Sequence, residues 1–300
     1  MSSPESRASF LDPATIARLG SLDLKVRAIV EGFLTGLHRS PFKGFSVEFA
    51  EYRQYLPGDD LTTLDWKVYA RTDRHFVKKF EEETNLECHV LLDISRSMGY
   101  GSGPVTKLEY GSYLAGALAY LMTRQRDAVG LIAFDDKIVK MLRPSARSGH
   151  LTSLLVTLER LPVGDRTDVA KPLRDLAEAV RKRGLIVLIS DLLDEPENVL
   201  KGLKHFRYRG SEVIVFHVLD PAEIRFPFDQ TARFRDMETQ DEIVAVPEVV
   251  RARYLDAMRD LQERYRRELR LAGIDYVVLD TSVPLEMALT SYLMTRRRSL

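Results

Sequence analysis

From residue 87 onward, short and almost wholly apolar runs alternate with longer amphipathic stretches. The apolar runs are CHVLL, VGLIAF, LIVLIS, VIVFHVL and DYVVLD. Strands with few polar interruptions are typical of a sheet that helices cover on both faces, because neither face of such a strand meets water. The alternation therefore predicts an α/β fold with a doubly wound, mostly parallel sheet, whose ligands bind at the carboxyl ends of the strands.

The stretches between these strands have the length and spacing of helices. They predict helices at about residues 107–125, 148–161, 168–182, 196–207 and 248–271, and a terminal helix after the last strand. Residues 221–247 break the alternation, and we interpret them as an inserted hairpin. We predict that this α/β domain spans residues 87–300.

The first 86 residues have a different pattern. Residues 13–37 place apolar side chains close to helical spacing, which predicts one or two amphipathic helices. Proline and glycine divide residues 41–80 into short aromatic-rich stretches, and residues 75–80 are typical of a strand. We therefore predict a helical plus β-rich N-terminal segment over residues 1–86.

The composition excludes several classes of protein. Hydrophobic residues make up 45% and charged residues 29% of the chain, as in ordinary globular proteins. The 44 Lys and Arg residues balance the 44 Asp and Glu residues, so no net field attracts nucleic acid, and no nucleic-acid-binding module is recognisable. The single cysteine, Cys88, excludes an intramolecular disulfide and fits a reducing compartment.

The sequence also argues against export and membrane insertion. Glu5 and Arg7 lie where a signal peptide would be apolar. The longest apolar run, residues 113–122, is about half of the ~20 residues that a membrane-spanning helix needs. We expect a cytoplasmic protein with no membrane anchor in this chain.

Oxygen-bearing side chains follow the first strand of the predicted sheet. Asp93 lies where this strand ends, and Ser95 and Ser97 follow at alternate positions. Side chains two residues apart can point to the same side of an extended segment, so these three oxygens can converge on one point. Hard divalent cations prefer oxygen ligands, and Mg²⁺ usually keeps part of its coordination for water or a partner.

Two more groups near predicted strand ends could complete such a site. Thr167 lies in the loop before a predicted helix, and Asp191 follows the strand LIVLIS. Because the carboxyl ends of parallel strands meet at one edge of a sheet, we expect both groups near Asp93. The alternative is that Asp93 and Ser95 stabilise a turn and that Thr167 caps the following helix, since these residue types also favour turns and caps.

This set of side chains resembles the metal-ion-dependent adhesion site of von Willebrand factor A domains. The matching positions are Asp93, Ser95, Ser97, Thr167 and Asp191. The resemblance implies that the two serines and the threonine contact the cation, and that the aspartates hold it directly or through water. It also implies an open coordination position that accepts an acidic side chain from a partner protein.

A block upstream of the metal-site strand resembles the bacterial family called domain of unknown function 58. The block contains Tyr52-Arg53, Pro57-Gly58-Asp59-Asp60, Asp65-Trp66 and Ala70-Arg71, and the match extends over about residues 38–240. At Thr62-Thr63 the family is expected to have a basic residue, so this sequence departs from the pattern there. The resemblance implies a von Willebrand factor A-like fold and a partnership with MoxR-type AAA+ ATPases. As residues alone, the block is also explained by a β-turn and a strand with a packed aromatic.

The features above predict a non-enzymatic, Mg²⁺-dependent protein-interaction module that acts with a MoxR-type AAA+ ATPase in a chaperone-like or regulatory assembly. Mn²⁺ and Ca²⁺ also prefer oxygen ligands, so either could replace Mg²⁺. The main alternative is a metal-dependent phosphohydrolase with Asp93 as its nucleophile, although such enzymes often need a second carboxylate where this sequence has Ser95. A third alternative is a structural adaptor with an empty metal site.

Overall fold

The computed structural model describes residues 12–37, 52–54, 76–78, 87–164, 169–180, 182–237, 241–286, 288–290, 292 and 294. Two short strands, β1 (Tyr52–Gln54) and β2 (Phe76–Lys78), pair in antiparallel orientation. Strand β2 lies within the strand predicted at residues 75–80. The remainder of the β-rich segment predicted at residues 41–80 lies outside the described residues.

A six-stranded sheet forms the centre of the protein. Its strands are β3 (Glu87–Asp93), β4 (Ala128–Phe134), β5 (Ile138–Ser145), β6 (Gly184–Ser190), β7 (Glu212–Leu219) and β10 (Asp275–Asp280), while β8 (Ala232–Arg235) and β9 (Glu242–Ala245) form a separate antiparallel hairpin. The order across the sheet is β10-β7-β6-β3-β4-β5, and every neighbouring pair is parallel except β4 and β5. The predicted doubly wound, mostly parallel sheet is confirmed.

Strand β5 is absent from the sequence prediction, and its position in the sheet explains why. It is an antiparallel edge strand whose side chains are all exposed or half-buried. Its sequence, IVKMLRPS, mixes Lys140, Arg143 and Pro144 with apolar residues, as edge strands often do. The continuous apolar run that marks a central strand is therefore missing.

Helices cover both faces of the sheet. The described residues form α1 (Pro13–Ala17), α2 (Leu22–Leu37), α3 (Lys107–Arg124), α4 (His150–Glu159), α5 (Ala170–Ala179), α6 (Pro196–Tyr208), α7 (Pro221–Arg225) and α8 (Pro247–Leu271), and a 3₁₀ turn at Arg96–Gly99. The helices predicted between residues 13 and 271 are confirmed, and the inserted hairpin at residues 221–247 contains α7 as well as β8 and β9. After β10, residues 286, 288–290, 292 and 294 are helical, in agreement with the terminal helix predicted there. Among the described helices, none combines the length and the apolar character that a membrane crossing requires.

Apolar side chains from alternate strand positions pack on opposite faces of the sheet. Val187 and Ile189 of β6 face a layer that contains α2, α3 and α4, whereas Ile186 and Leu188 face α5, α6 and α8. Helix α3 is buried on nearly all sides, because it lies between the sheet and α2. These two layers fix the positions of the strand ends, and the strand ends carry the predicted metal ligands.

Helix α2 packs closely on α3. Val26 and Val30 are fully buried in the same apolar layer as α3, and a methyl group added at Gly116 would lie 2.6 Å from Cγ2 of Val26. Residues of the predicted N-terminal segment thus contribute to the core around the sheet. The division of the chain at residue 86 stays a prediction.

Candidate metal centre

The carboxyl ends of β3 and β6 lie side by side. The two strands are parallel neighbours, with Leu92 opposite Ile189, so Asp93 and Ser190 end their strands at the same level. Asp191 follows directly, and all three polar residues are fully buried. The apolar layers that cover the sheet thus place two carboxylates and a hydroxyl together, away from water.

Hydrogen bonds organise the loop that follows β3. One oxygen of the Asp93 carboxylate accepts a hydrogen bond from the Ser95 amide at 2.8 Å, and the other accepts one from the Ser190 hydroxyl at 2.6 Å. The chain then enters the 3₁₀ turn, which brings the Ser97 hydroxyl to 3.1 Å from the Ser95 hydroxyl. The structure therefore places Asp93, Ser95 and Ser97 around one point.

Asp93 is a buried carboxylate that has no cationic partner among the residues that the structure describes. It is 0% exposed and forms no ion pair with any residue that the structure describes. Burial and the negative charge of Asp191 raise the pKa of Asp93 to about 7, against the opposing effect of the hydrogen bonds from Ser190 and Ser95. Buried charges in proteins are normally paired or bound to a metal, so this carboxylate is suited to hold a cation.

The donor atoms next to Asp93 fit a hard divalent cation. In an octahedral Mg²⁺ site with metal–oxygen distances of about 2.0–2.1 Å, adjacent ligands lie about 2.8–3.0 Å apart. The 3.1 Å between the Ser95 and Ser97 hydroxyls is close to this spacing. Within the described part of the chain no group of three or more His, Cys, Asp or Glu side chains could hold a metal, so the fit depends on hydroxyls as well as carboxylates.

Thr167, the fifth predicted ligand, lies outside the described residues. The chain on both sides of residues 165–168 is held by loops of the same sheet edge. The Gly164 amide donates to the carbonyl of Ile94 at 2.6 Å, and the Val169 amide donates to the Asp194 carboxylate at 2.9 Å. Ile94 lies within the metal-site loop, and Asp194 caps the start of α5.

The chain turns sharply directly after Asp191. Leu192 has a φ of 52°, a left-handed conformation that costs a residue with a side chain about 1–2 kcal/mol. Its amide donates to the Ser190 hydroxyl at 2.9 Å, and that hydroxyl donates to Asp93. The strained turn thus aligns the Ser190 hydroxyl with the carboxylate. Sparsely populated backbone conformations of this kind cluster at functional sites.

Lys107 is a buried cation that the sequence prediction lacks. Its Nζ lies 2.7 Å from Asp191 and 2.6 Å from Glu223, and its side chain is 0% exposed. Burial acts to lower the pKa of Lys107, but the two carboxylates outweigh burial and hold this pKa above its ordinary value. Lys107 is the first residue of α3, where the helix dipole disfavours a cation. That unfavourable position is the sequence signal that could have indicated a carboxylate partner.

A further buried carboxylate, Asp220, ties the loop after the 3₁₀ turn to helix α7. It accepts hydrogen bonds from the amide and the hydroxyl of Ser102, at 2.8 and 2.5 Å, and from the Ala222 amide at 2.7 Å. The Glu223 carboxylate accepts a hydrogen bond from the Asp220 amide at 2.8 Å and also holds Lys107. Asp220 directly follows an apolar strand, as Asp191 does, so its position was the available sequence signal.

Solved structures of other proteins are similar to this chain. The conserved hypothetical protein BatB from Bacteroides thetaiotaomicron is similar over 71% of this chain and 99% of its own, with a TM-score of 0.50 and 19% identity. The SpRpn10 VWA domain is similar over 69% of this chain and 94% of its own, with a TM-score of 0.38 and 14% identity. At such identity the likeness to BatB shows a shared fold alone.

Similar sequences and a match to a protein family show more than the shared fold. An uncharacterized protein of Mycobacterium tuberculosis, Rv1480, is 31% identical over 226 residues, which cover 74% of this chain and 70% of that protein. Residues 51–264 match the family described as "Protein of unknown function DUF58". The family expected from the upstream block and the metal-site motif is confirmed: this chain belongs to the DUF58 family of proteins of unknown function.

Proposed function

We propose that this protein is a non-enzymatic interaction module that binds Mg²⁺ and, through the open coordination position of the cation, an acidic side chain of a partner protein. The proposed ligands are Asp93, Ser95, Ser97, Thr167 and Asp191. The observation that carries the proposal is the buried Asp93 carboxylate, which has no ion-pair partner among the described residues and adjoins two hydroxyls at ligand spacing.

The charge of the surrounding groups supports a divalent cation. Three carboxylates, those of Asp93, Asp191 and Glu223, accompany the single ammonium of Lys107. With Asp220 beside Glu223, the carboxylates of this region outnumber the ammonium of Lys107, and a divalent cation would offset part of the excess negative charge. The bound cation would then attract a partner carboxylate by a directional coordination bond, although the whole chain has no net charge.

The partner that we propose is a MoxR-type AAA+ ATPase, in a chaperone-like or regulatory assembly. Membership of the DUF58 family supports this partner, since the resemblance that identified the family also implied the partnership. The test is sedimentation or size-exclusion analysis of the full chain mixed with a MoxR-type ATPase from the same organism, in Mg²⁺ and in excess chelator. A Mg²⁺-dependent complex that Asp93→Ala abolishes is expected. A complex that forms equally in chelator would favour the structural adaptor.

Calorimetric titration with Mg²⁺ tests the metal site itself. We expect wild-type protein to bind the cation, and Asp93→Ala and the double variant Ser95→Ala/Ser97→Ala to lose measurable affinity. Asp260→Asn is the control, because it removes one exposed carboxylate of α8 that lies outside the ligand set. Equal affinity in all variants, or no binding in wild type, would contradict the proposal.

A phosphohydrolase would instead need Asp93 as a nucleophile and a second group as acid. Both Asp93 oxygens accept hydrogen bonds, and the residue two positions on is Ser95, which has no comparable acidity. A panel of phosphate esters separates the two functions. We expect no turnover above the background, whereas turnover that requires both Mg²⁺ and Asp93 would overturn the non-enzymatic proposal.

A further inference from the structure

A cavity of about 400 Å³ opens beside the candidate metal centre. Its lining includes Ser97 and Lys107, which belong to the centre or pair with it. Its lining also includes aromatic rings from the inserted hairpin region and α8. These are Phe226, Phe228, Phe234 and Tyr254. This volume lies in the range of about 300–1,000 Å³ that is usual for small-ligand pockets.

The four rings form one packed cluster around Phe226. The Phe226 ring centroid lies 5.1 Å from that of Phe228, 5.5 Å from that of Phe234 and 4.8 Å from that of Tyr254. Phe228 and Phe234 also meet edge to face, with centroids 5.2 Å apart. Aromatic pairs at such distances prefer defined geometries, so the wall of the cavity is a fixed apolar surface.

The backbone that carries these rings is anchored to the main domain. Phe226 ends α7 with a φ of 47°, in the left-handed region, and is only 6% exposed. The Arg251 guanidinium of α8 donates to the carbonyl of Phe226 at 3.2 Å and also to the carbonyl of Phe228. A strained backbone conformation persists only where many surrounding contacts hold it in place. The anchored loop therefore keeps the cavity open in a preformed shape.

The charges that line the cavity cancel. Lys107 and Glu223 in its lining are ion-paired with each other, and Arg235 and Asp236 contribute one further charge of each sign. An interior with apolar walls and no net charge favours a neutral, apolar occupant over a charged one. An acidic group that approaches the same area would instead be drawn to the proposed cation, next to Ser97.

We propose that this cavity receives an aromatic or large aliphatic side chain of the partner protein, which lies within two residues of the acidic side chain that reaches the cation. Ser97 lines the cavity and is a proposed cation ligand, so the two binding positions share a wall and one short peptide segment spans both. We call these two side chains of the partner together the linked recognition element. The binding of its acidic side chain rests on the proposed function, whereas the binding of its apolar side chain rests on the cavity alone.

The binding of an apolar side chain in the cavity is tested without metal. Saturation-transfer NMR with N-acetylphenylalaninamide in excess chelator is expected to show binding to wild type and to Asp93→Ala. Leu193→Trp places a larger side chain at a lining position that is already 39% exposed, and it should abolish the signal, as should Phe234→Ala. Ile243→Ala is the matched control, since Ile243 pairs with Phe234 across the hairpin, is 68% exposed and does not line the cavity. Absence of binding, or equal binding to all variants, would overturn the proposal.

The linked recognition element is tested with three capped peptides in Mg²⁺, acetyl-Asp-Gly-Phe-amide, acetyl-Asp-Gly-Ala-amide and acetyl-Asn-Gly-Phe-amide. Burial of a side chain as large as Phe is worth about one to two factors of ten in affinity, so the Ala peptide should bind at least about tenfold more weakly. Leu193→Trp should remove this preference, and Ile243→Ala should keep it.

The two proposals fail in different ways in this experiment. If the Asp peptides bind only with Mg²⁺ but the Phe and Ala peptides bind equally, the cavity proposal is overturned and the metal site stands. If Mg²⁺ does not strengthen the binding of acetyl-Asp-Gly-Phe-amide and acetyl-Asn-Gly-Phe-amide binds equally well, the cavity stands and the proposed metal function is overturned. Absence of any response at millimolar peptide overturns the linked recognition element.

Discussion

The replacement of Asp93 by Asn isolates the charge of the candidate metal centre. Asn keeps the shape of the side chain and can accept from the Ser95 amide while donating to the Ser190 hydroxyl, so both contacts can persist. What it removes is a buried negative charge. In chelator we therefore expect Asp93→Asn to be more stable than wild type, which is unusual for a substitution of a buried polar residue.

The magnitude follows from the pKa of Asp93, which rises from 3.8 to about 7 on folding. Each pKa unit is worth about 1.4 kcal/mol, so ionised Asp93 costs the folded protein about 4 kcal/mol above pH 7. Because the folded-state pKa is raised, the folded protein binds more protons than the unfolded chain between about pH 4 and pH 7. Stability of the metal-free wild type should thus fall as pH rises through this window, and this component should be absent in Asp93→Asn.

Thermal unfolding in chelator and in saturating Mg²⁺ measures both effects. For a protein of this size the charge penalty corresponds to roughly 5–10 °C in Tm at pH 8. Mg²⁺ at a hundredfold excess over its Kd should stabilise wild type by about 2.7 kcal/mol and leave Asp93→Asn unchanged. The control Asp260→Asn, at an exposed position of α8, should behave as wild type. If Asp93→Asn unfolds at or below the wild-type temperature in chelator, or responds equally to Mg²⁺, Asp93 is a turn residue and not a cation ligand.

Three further substitutions test the surrounding structure. Lys107→Met should destabilise the protein by about 3–5 kcal/mol in chemical denaturation, because it leaves the buried Asp191 and the half-buried Glu223 carboxylates without their cation. Lys204→Met at an exposed ion pair should cost at most about 1 kcal/mol. Asp220→Ala should release Ser102, so hydrogen exchange of the loop before α3 should accelerate while exchange in the central strands stays slow. Gly116→Ala should cost about 1–3 kcal/mol in global stability through its clash with α2, and a loss confined to the first helices would contradict their place in the common core.

The central strands and their helices were predictable because burial on both faces leaves a direct mark on the sequence. A strand such as β6 must be apolar at every position, and the polar residue that follows it then stands out. This change from apolar to polar residues predicted that Asp93 and Asp191 lie at the carboxyl ends of the strands, and the structure places both residues there. Strand β5 was not predictable by the same rule, since an edge strand exposed to water need not carry an apolar run.

At the candidate site, contacts between segments that are far apart in the chain could not be predicted from the sequence. Lys107 is 84 residues from Asp191 in the chain, and only the fold shows that they form a buried ion pair. Ser190 was read as the last residue of an apolar strand, although its hydroxyl lies 2.6 Å from Asp93. Local patterns indicate which residues can bind a cation, but the side chains that orient them come from other elements of the fold.

The cavity beside the centre could not be predicted from the sequence either. Its rings come from the segment that interrupts the strand and helix alternation, together with Tyr254 of α8. In the linear sequence Phe226, Phe228 and Phe234 are spaced aromatic residues without a periodic pattern. The left-handed turn at Phe226 and the hairpin that follows bring them together.

An anomalous difference map from crystals soaked with Mn²⁺, collected at the manganese absorption edge, tests the metal site most directly. Mn²⁺ takes the same oxygen ligands as Mg²⁺ and scatters anomalously. We predict one strong peak within coordination distance of the Asp93 carboxylate and the hydroxyls of Ser95 and Ser97, and its absence in Asp93→Asn crystals. No peak at this position in wild-type crystals, or a peak that persists unchanged in Asp93→Asn, would contradict the assignment of this sheet edge as a cation site.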